Sequence, residues 1–294
     1  MKDDPDALSC VLLVDKPVGP TSFDIVRTAR RGLRARVGHA GTLDPFASGL
    51  LLVMVGQATR VSSLLMGLPK EYEVTIQFGA VSSTADPTGV ITPTGRRVQS
   101  DEVVTALDGF RGRILQRVPL TSAVKVDGER LYKKAHRGES AETPEREVMV
   151  YDLTMIGFDE KAQAAHLVVF AGSGTYVRTL AESIGRAIGT GGYASSLRRT
   201  RVGPFRVEGA LAPEALSPEL YAAGGPGVLG VDDALGFLPR QDLEETEARR
   251  AANGNELTAG PAGRFRVHGP EGLLGVYQGV DGSSRPLVVF PRPV

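Results

Sequence analysis

From residue 71 to residue 78 the chain alternates strictly. Tyr72, Val74, Ile76 and Phe78 fall on one face and Glu71, Glu73, Thr75 and Gln77 on the other, which predicts a half-buried strand. Apolar runs at 9–14 and 50–55, and similar stretches at 151–158 and 166–171, predict four more strands. Val177, Leu180, Ala181, Ile184 and Ile188 recur at helical spacing, and Ser173 or Thr175 precedes them as a candidate cap. A second helix follows the turn at 16–20, capped by Thr21 or Ser22, and a third covers 57–66. Residues 121–147 are polar, charged and aperiodic, so they read as a long excursion from the core, of the kind that is functional or disordered.

Gly224, Gly225, Pro226 and Gly227 interrupt the pattern and predict a boundary. Beyond it, a helix at 244–252 stops at Gly254, and short strands at 264–267, 273–277 and 286–290 read as a small, mostly β module. The order of elements predicts an α+β protein whose core sheet is mixed or antiparallel and flanked by helices, without a regular βαβ series.

Composition narrows the class. With 294 residues and 41% hydrophobic content the chain can bury a large core and a smaller one beside it. No apolar run approaches the roughly 20 residues that span a bilayer, and the start at residues 1–6 is acidic, unlike a secretory signal. Both features point to a soluble, cytoplasmic protein. Cys10 is the only cysteine, and the 4 histidines are scattered, so neither disulfides nor a metal pattern is expected.

The formal net charge is zero, yet it is unevenly spread. Arg27, Arg30, Arg31, Arg34 and Arg36 occupy ten positions that contain no acid, and the first four would share one face of a continued helix. Arg198, Arg199, Arg201 and Arg206 form a second cluster, and Lys125, Arg130, Lys133, Lys134 and Arg137 a third. One such cluster is ordinarily a solvated face. Three beside Gly-rich loops indicate a polyanion, with Lys125, Arg198, Arg199 and Arg201 as candidate contacts to its backbone; arginine suits bidentate phosphate contacts.

Candidate chemistry centres on residues 37–49, where Asp44 sits among Gly38, Gly41, Pro45 and Gly49 just ahead of an apolar strand. Such a loop is shaped rather than soft, although an aspartate there ordinarily caps a turn. Arg178 lies in the first turn of its helix, where a cation costs about 0.3–1 kcal/mol unless an anion compensates. A carboxylate or phosphate is therefore expected nearby. Tyr72 heads the buried face of its strand, and His39 in a Gly-rich loop is more often structural than catalytic.

The segments Leu12-Leu13-Val14-Asp15-Lys16-Pro17-Val18-Gly19-Pro20, Gly38-His39-Ala40-Gly41-Thr42-Leu43-Asp44-Pro45, Lys70-Glu71-Tyr72, Ser122-Ala123-Val124-Lys125, Gly174-Thr175-Tyr176-Val177-Arg178 and Leu197-Arg198-Arg199-Thr200 stand in this order. Together they resemble the bacterial tRNA pseudouridine synthase B (TruB) family from about Val11 to Phe205. The resemblance implies a pseudouridine-synthase-like catalytic domain over 1–225, an RNA-gripping insertion at about 121–147, and a PUA-like RNA-binding module over 238–294. It implies conversion of uridine-55 in the tRNA T loop to pseudouridine, with the base flipped out of its stack and no cofactor or metal.

By the same resemblance Asp44 is the nucleophile, adding at C1′ or removing a proton at C2′, and Arg178 holds it ionised. Tyr72 stacks on the uracil and relays the C5 proton, Tyr176 and Leu197 line the pocket, and His39 fills the space that the base vacates. Tyr193 and Thr121 depart from the family pattern and bear on fine contacts only. The implied partner is the T arm of tRNA, bound by a monomer without guide RNA or protein partner. Two other classes share part of the evidence: a guide-RNA-dependent pseudouridine synthase, and a non-catalytic RNA-binding or chaperone protein. The pairing of Asp44 with Arg178 speaks against the second.

Overall fold

The computed structural model describes residues 8–294 except 123, 127, 138, 140, 141, 292 and 293. The acidic start at 1–6 and Ala123 of the insertion motif lie outside the described residues.

The strands of the main sheet are β1 (Cys10–Lys16), β2 (Val37–Ala40), β3 (Ser48–Val55), β4 (Lys70–Phe78), β5 (Gly112–Arg117), β6 (Glu145–Asp159), β7 (Ala164–Ala171), β8 (Gly192–Val202), β9 (Phe205–Arg206) and β10 (Val228–Gly230). Their spatial order is β10-β1-β3-β8-β4-β7-β6-β5, with β2 added to β3 and β9 to β8. The alternating strand, β4, lies in the middle, antiparallel to β8 on one side and to β7 on the other. Every pairing in this sheet is antiparallel except β3 with β8, which run parallel through Ser48↔Arg198 and Gly49↔Arg199. The sheet is therefore mixed, and its one parallel contact stands beside the Asp44 loop.

Three helices, α1 (Ser22–Ala29), α2 (Ser100–Leu107) and α3 (Val177–Ile188), cover one face. Ile25, Ala29, Val103, Leu107, Leu180 and Ile184 meet Leu12, Val14, Leu51 and Val53 there. On the other face, Val11, Leu13, Leu50, Leu52 and Met54 pack against Leu273, Val276 and Phe290 from the C-terminal part. β1 and β3 are thus buried on both sides, which is why their sequences are continuous apolar runs while β4 alternates. The C-terminal part is a four-stranded sheet in the order β11 (Arg240–Asp242), β12 (Gly263–Gly269), β13 (Gly272–Val280), β14 (Ser283–Val289). Helix α4 (Glu245–Ala252) closes it, with Ala248 and Ala251 against Phe265, Val267 and Tyr277.

Several elements differ from the sequence reading. Helix α1 starts at a Thr21–Asp24 capping box but ends at Ala29, with Arg30 as its C-cap and Gly32 at φ +73° soon after. Arg27, Arg30, Arg31 and Arg34 therefore share no helical face; they and Arg36 are exposed around a turn. Neither Ser173 nor Thr175 caps α3: the N-cap is Tyr176, with no side-chain bond of its own. Gln116 of β5 fixes the backbone of that residue instead, accepting from the Tyr176 N–H at 3.0 Å and donating to its carbonyl at 3.3 Å. The helix expected at 57–66 is a 3₁₀ segment, Gly56–Val61, running into the short helix Ser62–Met66. Within the 121–147 excursion, Lys125–Val126 pairs with Glu129–Arg130 ahead of a helix at Leu131–His136, and β6 already begins at Glu145. Among the described residues no helix is long and apolar enough to cross a membrane.

Candidate active site

Asp44 stands in the loop between β2 and β3, and that loop is tied from several sides. Ser22, at the start of α1, accepts from the Leu43 N–H at 2.8 Å and donates to the Leu43 carbonyl at 3.0 Å. The Gly19 N–H donates to the Pro45 carbonyl at 2.8 Å, and the Ala47 N–H to the Asp44 carbonyl at 3.1 Å. Gly41 has φ +92°, a conformation that other residues adopt only with strain.

Arg178, in the first turn of α3, faces this loop. Its Nε lies 3.4 Å from Asp44 Oδ2, and its Nη1 lies 3.1 Å from Asp86 Oδ2. The guanidinium also donates to Thr121 Oγ1 at 2.7 Å and to the Thr121 carbonyl at 3.0 Å. The anion expected at this helix start is thus a pair of carboxylates. The Arg178 and Asp86 side chains are only 5% and 4% exposed, against 29% for Asp44, so of the two carboxylates Asp44 alone opens to solvent.

Asp86 was not found by sequence reasoning. Its Oδ1 accepts from Thr84 Oγ1 at 2.7 Å and from the N–H and hydroxyl of Thr88 at 2.9 and 2.5 Å. In sequence this Ser-Ser-Thr-Ala-Asp-Pro-Thr-Gly stretch signals a side-chain-capped turn. Nothing local announces that the second carboxylate oxygen reaches an arginine 92 positions on.

The electrostatics are those of a shared cation. Burial pushes the Asp44 carboxyl above its ordinary range; Arg178 and Lys16 pull it down, and Asp86 pushes it up. Arg178 thus offsets only part of the burial cost, and Asp44 holds its proton more tightly than an ordinary carboxylate. Lys16 is fully buried, donates to the carbonyls of Pro17 at 2.9 Å and Pro20 at 2.8 Å, and is lowered by burial to about 8.

These groups open into a pocket of about 270 Å³, with Asp44, Tyr72, Tyr176, Arg178 and Leu197 in its wall and Lys70 and Arg199 beside them. That volume lies just below the roughly 300–1,000 Å³ of drug-sized sites. Among the described residues no group of His, Cys, Asp and Glu has a metal-binding arrangement.

The sequence matches the description "TruB family pseudouridylate synthase (N terminal domain)" over residues 30–177 and "tRNA pseudouridylate synthase B C-terminal domain" over 178–223. It is 41% identical to the tRNA pseudouridine synthase B of Aromatoleum aromaticum over 90% of this chain and 87% of that protein. The chain belongs to the TruB family. Its similarity to the tRNA pseudouridine synthase B of Thermobifida fusca is 40% identity over 95% of this chain and 98% of that one. In fold, this TruB-family chain resembles a Cbf5-Nop10-Gar1 complex structure, with TM-score 0.74, 24% identity and coverage of 98% of this chain and 86% of that one.

Not every residue singled out in the TruB-like motifs reaches the pocket. His39 lies in β2 opposite Val53 and outside the pocket wall. Its Nδ1 is buried without a hydrogen-bond partner, and burial followed by the Arg199 charge lowers its pKa. The four candidate RNA-backbone contacts do not form one patch. Arg199 is 1% exposed, so its reading as a phosphate contact is corrected: β8 alternates, and this side chain points into the pocket wall. Arg198, its neighbour on the opposite face, is half-exposed and forms a fork with Asp15 at 3.0 and 2.7 Å. Arg201 stacks over the Phe170 ring at 4.6 Å, and Lys125 is exposed on the excursion.

Proposed function

We propose that this protein converts uridine-55 in the T loop of tRNA to pseudouridine with Asp44 as the nucleophile, acting as a cytoplasmic monomer without cofactor, guide RNA or protein partner. The observation that carries the reading is the Asp44–Arg178 pair at 3.4 Å at the mouth of the pocket, in a chain about 40% identical to proteins named tRNA pseudouridine synthase B. A base inside its stack is out of reach, so the target nucleotide flips into the pocket at a cost of a few kcal/mol. Backbone contacts by Lys125, Arg198 and Arg201, by the excursion at about 121–147 and by a PUA-like module over 238–294 offset that cost. The remainder, 1–225, is the catalytic domain in this reading, and His39 fills the space that the base leaves.

Within the pocket Tyr72 stacks on the uracil, and Tyr176 and Leu197 complete the wall. The Asp44 carboxylate either adds at C1′ or removes the C2′ proton. The N1–C1′ bond breaks with its electron pair on the uracil, the ring turns, and C5 bonds to C1′ as the Asp44–C1′ bond breaks or, on the second route, as C2′ regains its proton; Tyr72 relays the C5 proton and N1 gains one. The upward push on the Asp44 pKa strengthens it as base or nucleophile. Asp86 gives the buried Arg178 a second anion, so the guanidinium is not left unpaired when Asp44 loses its charge.

The test uses the purified chain alone with unmodified tRNA transcript and maps pseudouridine along it. Pseudouridine at position 55 is expected, and Asp44→Asn is expected to abolish it with tRNA binding nearly intact. Turnover by Asp44→Asn, or an absolute need for added guide RNA, would refute this reading.

A further inference from the structure

Arg199 is among the largest side chains in the protein that are buried almost completely. A buried cation is costly unless bonded and paired, and burial duly lowers the Arg199 pKa, while the Tyr72 side chain bonded to it pulls the other way. Its other hydrogen bonds go to two backbone carbonyls. Nε donates to the Leu50 carbonyl at 2.7 Å and Nη2 to the Gly41 carbonyl at 3.0 Å. Those two carbonyls bracket residues 42–49, the segment that carries Asp44. The backbone of Arg199 meets the same segment at Gly49, its parallel partner in β3. Gly49 has φ +103°, and a Cβ there would lie 2.2 Å from the Arg199 carbonyl oxygen.

Two neighbouring lysines behave alike. Lys16 bonds the carbonyls of Pro17 and Pro20, holding the turn whose Gly19 grips Pro45. Lys70 bonds the carbonyls of Met66 and Leu68 at the pocket rim. Each of these buried cations ties backbone that borders the pocket; only Arg199 ties both ends of the reactive loop.

We propose that Arg199 is a positioning residue for the reaction: its guanidinium closes the 42–49 loop by bridging Gly41 and Leu50, and so fixes Asp44 against Arg178. The proposal rests on the reading of Asp44 as the nucleophile. A planar fork can bridge two carbonyls that a compact ammonium cannot both reach at the same angles, and a misplacement of about 1 Å costs about 100-fold in rate.

The experiment compares wild type with Arg199→Lys and Arg199→Met in single-turnover kinetics on tRNA, tRNA affinity, thermal melting and peptide-resolved hydrogen exchange. Arg199→Lys is expected to lower the rate constant about 10- to 100-fold with tRNA Kd within about twofold, and to speed exchange at 41–50 while the C-terminal sheet stays protected. Arg199→Met is expected to lower the rate further in the same split; should it fail to fold, the lysine variant carries the test. A wild-type rate in Arg199→Lys overturns the proposal, as does lost affinity with the rate retained at saturation, or exchange that rises everywhere alike. Turnover by Asp44→Asn instead overturns the reading of the nucleophile, independently of how Arg199→Lys behaves.

Discussion

Asp44, the nucleophile in the proposed reaction, is kept at a cost to the fold. Burial raises its pKa more than Arg178 and Lys16 lower it, so the folded state disfavours the ionised carboxylate relative to the unfolded chain. For an acid whose folded pKa lies above its unfolded value, the cost is full above the folded pKa and vanishes below the unfolded one. Asp44→Asn is therefore expected to raise Tm at neutral pH even as it removes turnover. The gap between variant and wild type is expected to close as pH falls through the folded pKa toward the ordinary carboxylate range. Melting curves of both proteins across pH 3.5–8 check this; a lower Tm for Asp44→Asn at neutral pH would mean that Arg178 more than repays the burial of its partner. Asp44, Tyr72 and Arg178 stood out through the ordered motifs of the TruB resemblance, since the Asp44 loop alone reads as a capped turn and Tyr72 alone as a core tyrosine; of the three, only Arg178 carries a local cost that asks for an anion. Asp86 did not stand out, and Arg199 did so only as a phosphate contact, since their partners lie on other strands and loops, far away in the chain.

At the scale of elements, the contact between β3 and β8 decides where the site forms. It is the one parallel pairing of the main sheet, and it brings the strand after the Asp44 loop against the strand that carries Leu197 and Arg199. Gly49 makes that approach possible, with φ +103° and no room for a side chain against the Arg199 backbone. Gly49→Ala is expected to destabilise the protein by at least about 3 kcal/mol, since a strained φ and a backbone collision add. A urea titration shows this as a lower midpoint with an unchanged slope. Alanine at the exposed Gly95, which also has positive φ but open space around it, is expected to cost less. β1, β3, β4, β6 and β7 were readable from alternation and apolar runs, β2, β5 and β8 were not, and β3 gave no facing preference because both its faces are covered. Helix ends were readable only where a cap is local: Thr21 and Asp24 form the box that starts α1, whereas the start of α3 has no side-chain cap and its first residue is held by Gln116, 60 residues earlier.

Across the whole molecule, the zero net charge conceals a distribution that the fold sorts into two kinds of arginine. Some lie in the interior or in ion pairs: Arg178 with Asp44 and Asp86, Arg198 with Asp15, Arg249 with Glu245, Arg285 with Glu256. Others are exposed in the turn that leads from α1 to β2, where Arg30, Arg31 and Arg34 have no ion-pair partner among the described residues and Asp24 pairs with Arg27. Sequence clustering could not separate these kinds, because a strand such as β8 sends Arg198 and Arg199 to opposite faces. The free kind can exchange counterions for RNA phosphates without first leaving a carboxylate, each such contact contributing about one unit to the log–log dependence of affinity on salt. Replacing Arg30, Arg31 and Arg34 together by Gln is expected to weaken tRNA binding and to flatten that slope by up to about three units, with the rate constant at saturation unchanged. The paired control, Arg249→Gln with Arg285→Gln, is expected to leave the slope as it is, because those guanidiniums are already matched by carboxylates. Filter binding from low to moderate salt distinguishes the cases: equal slopes in all three proteins would mean that the turn between α1 and β2 is a solvated face and that the RNA is gripped elsewhere.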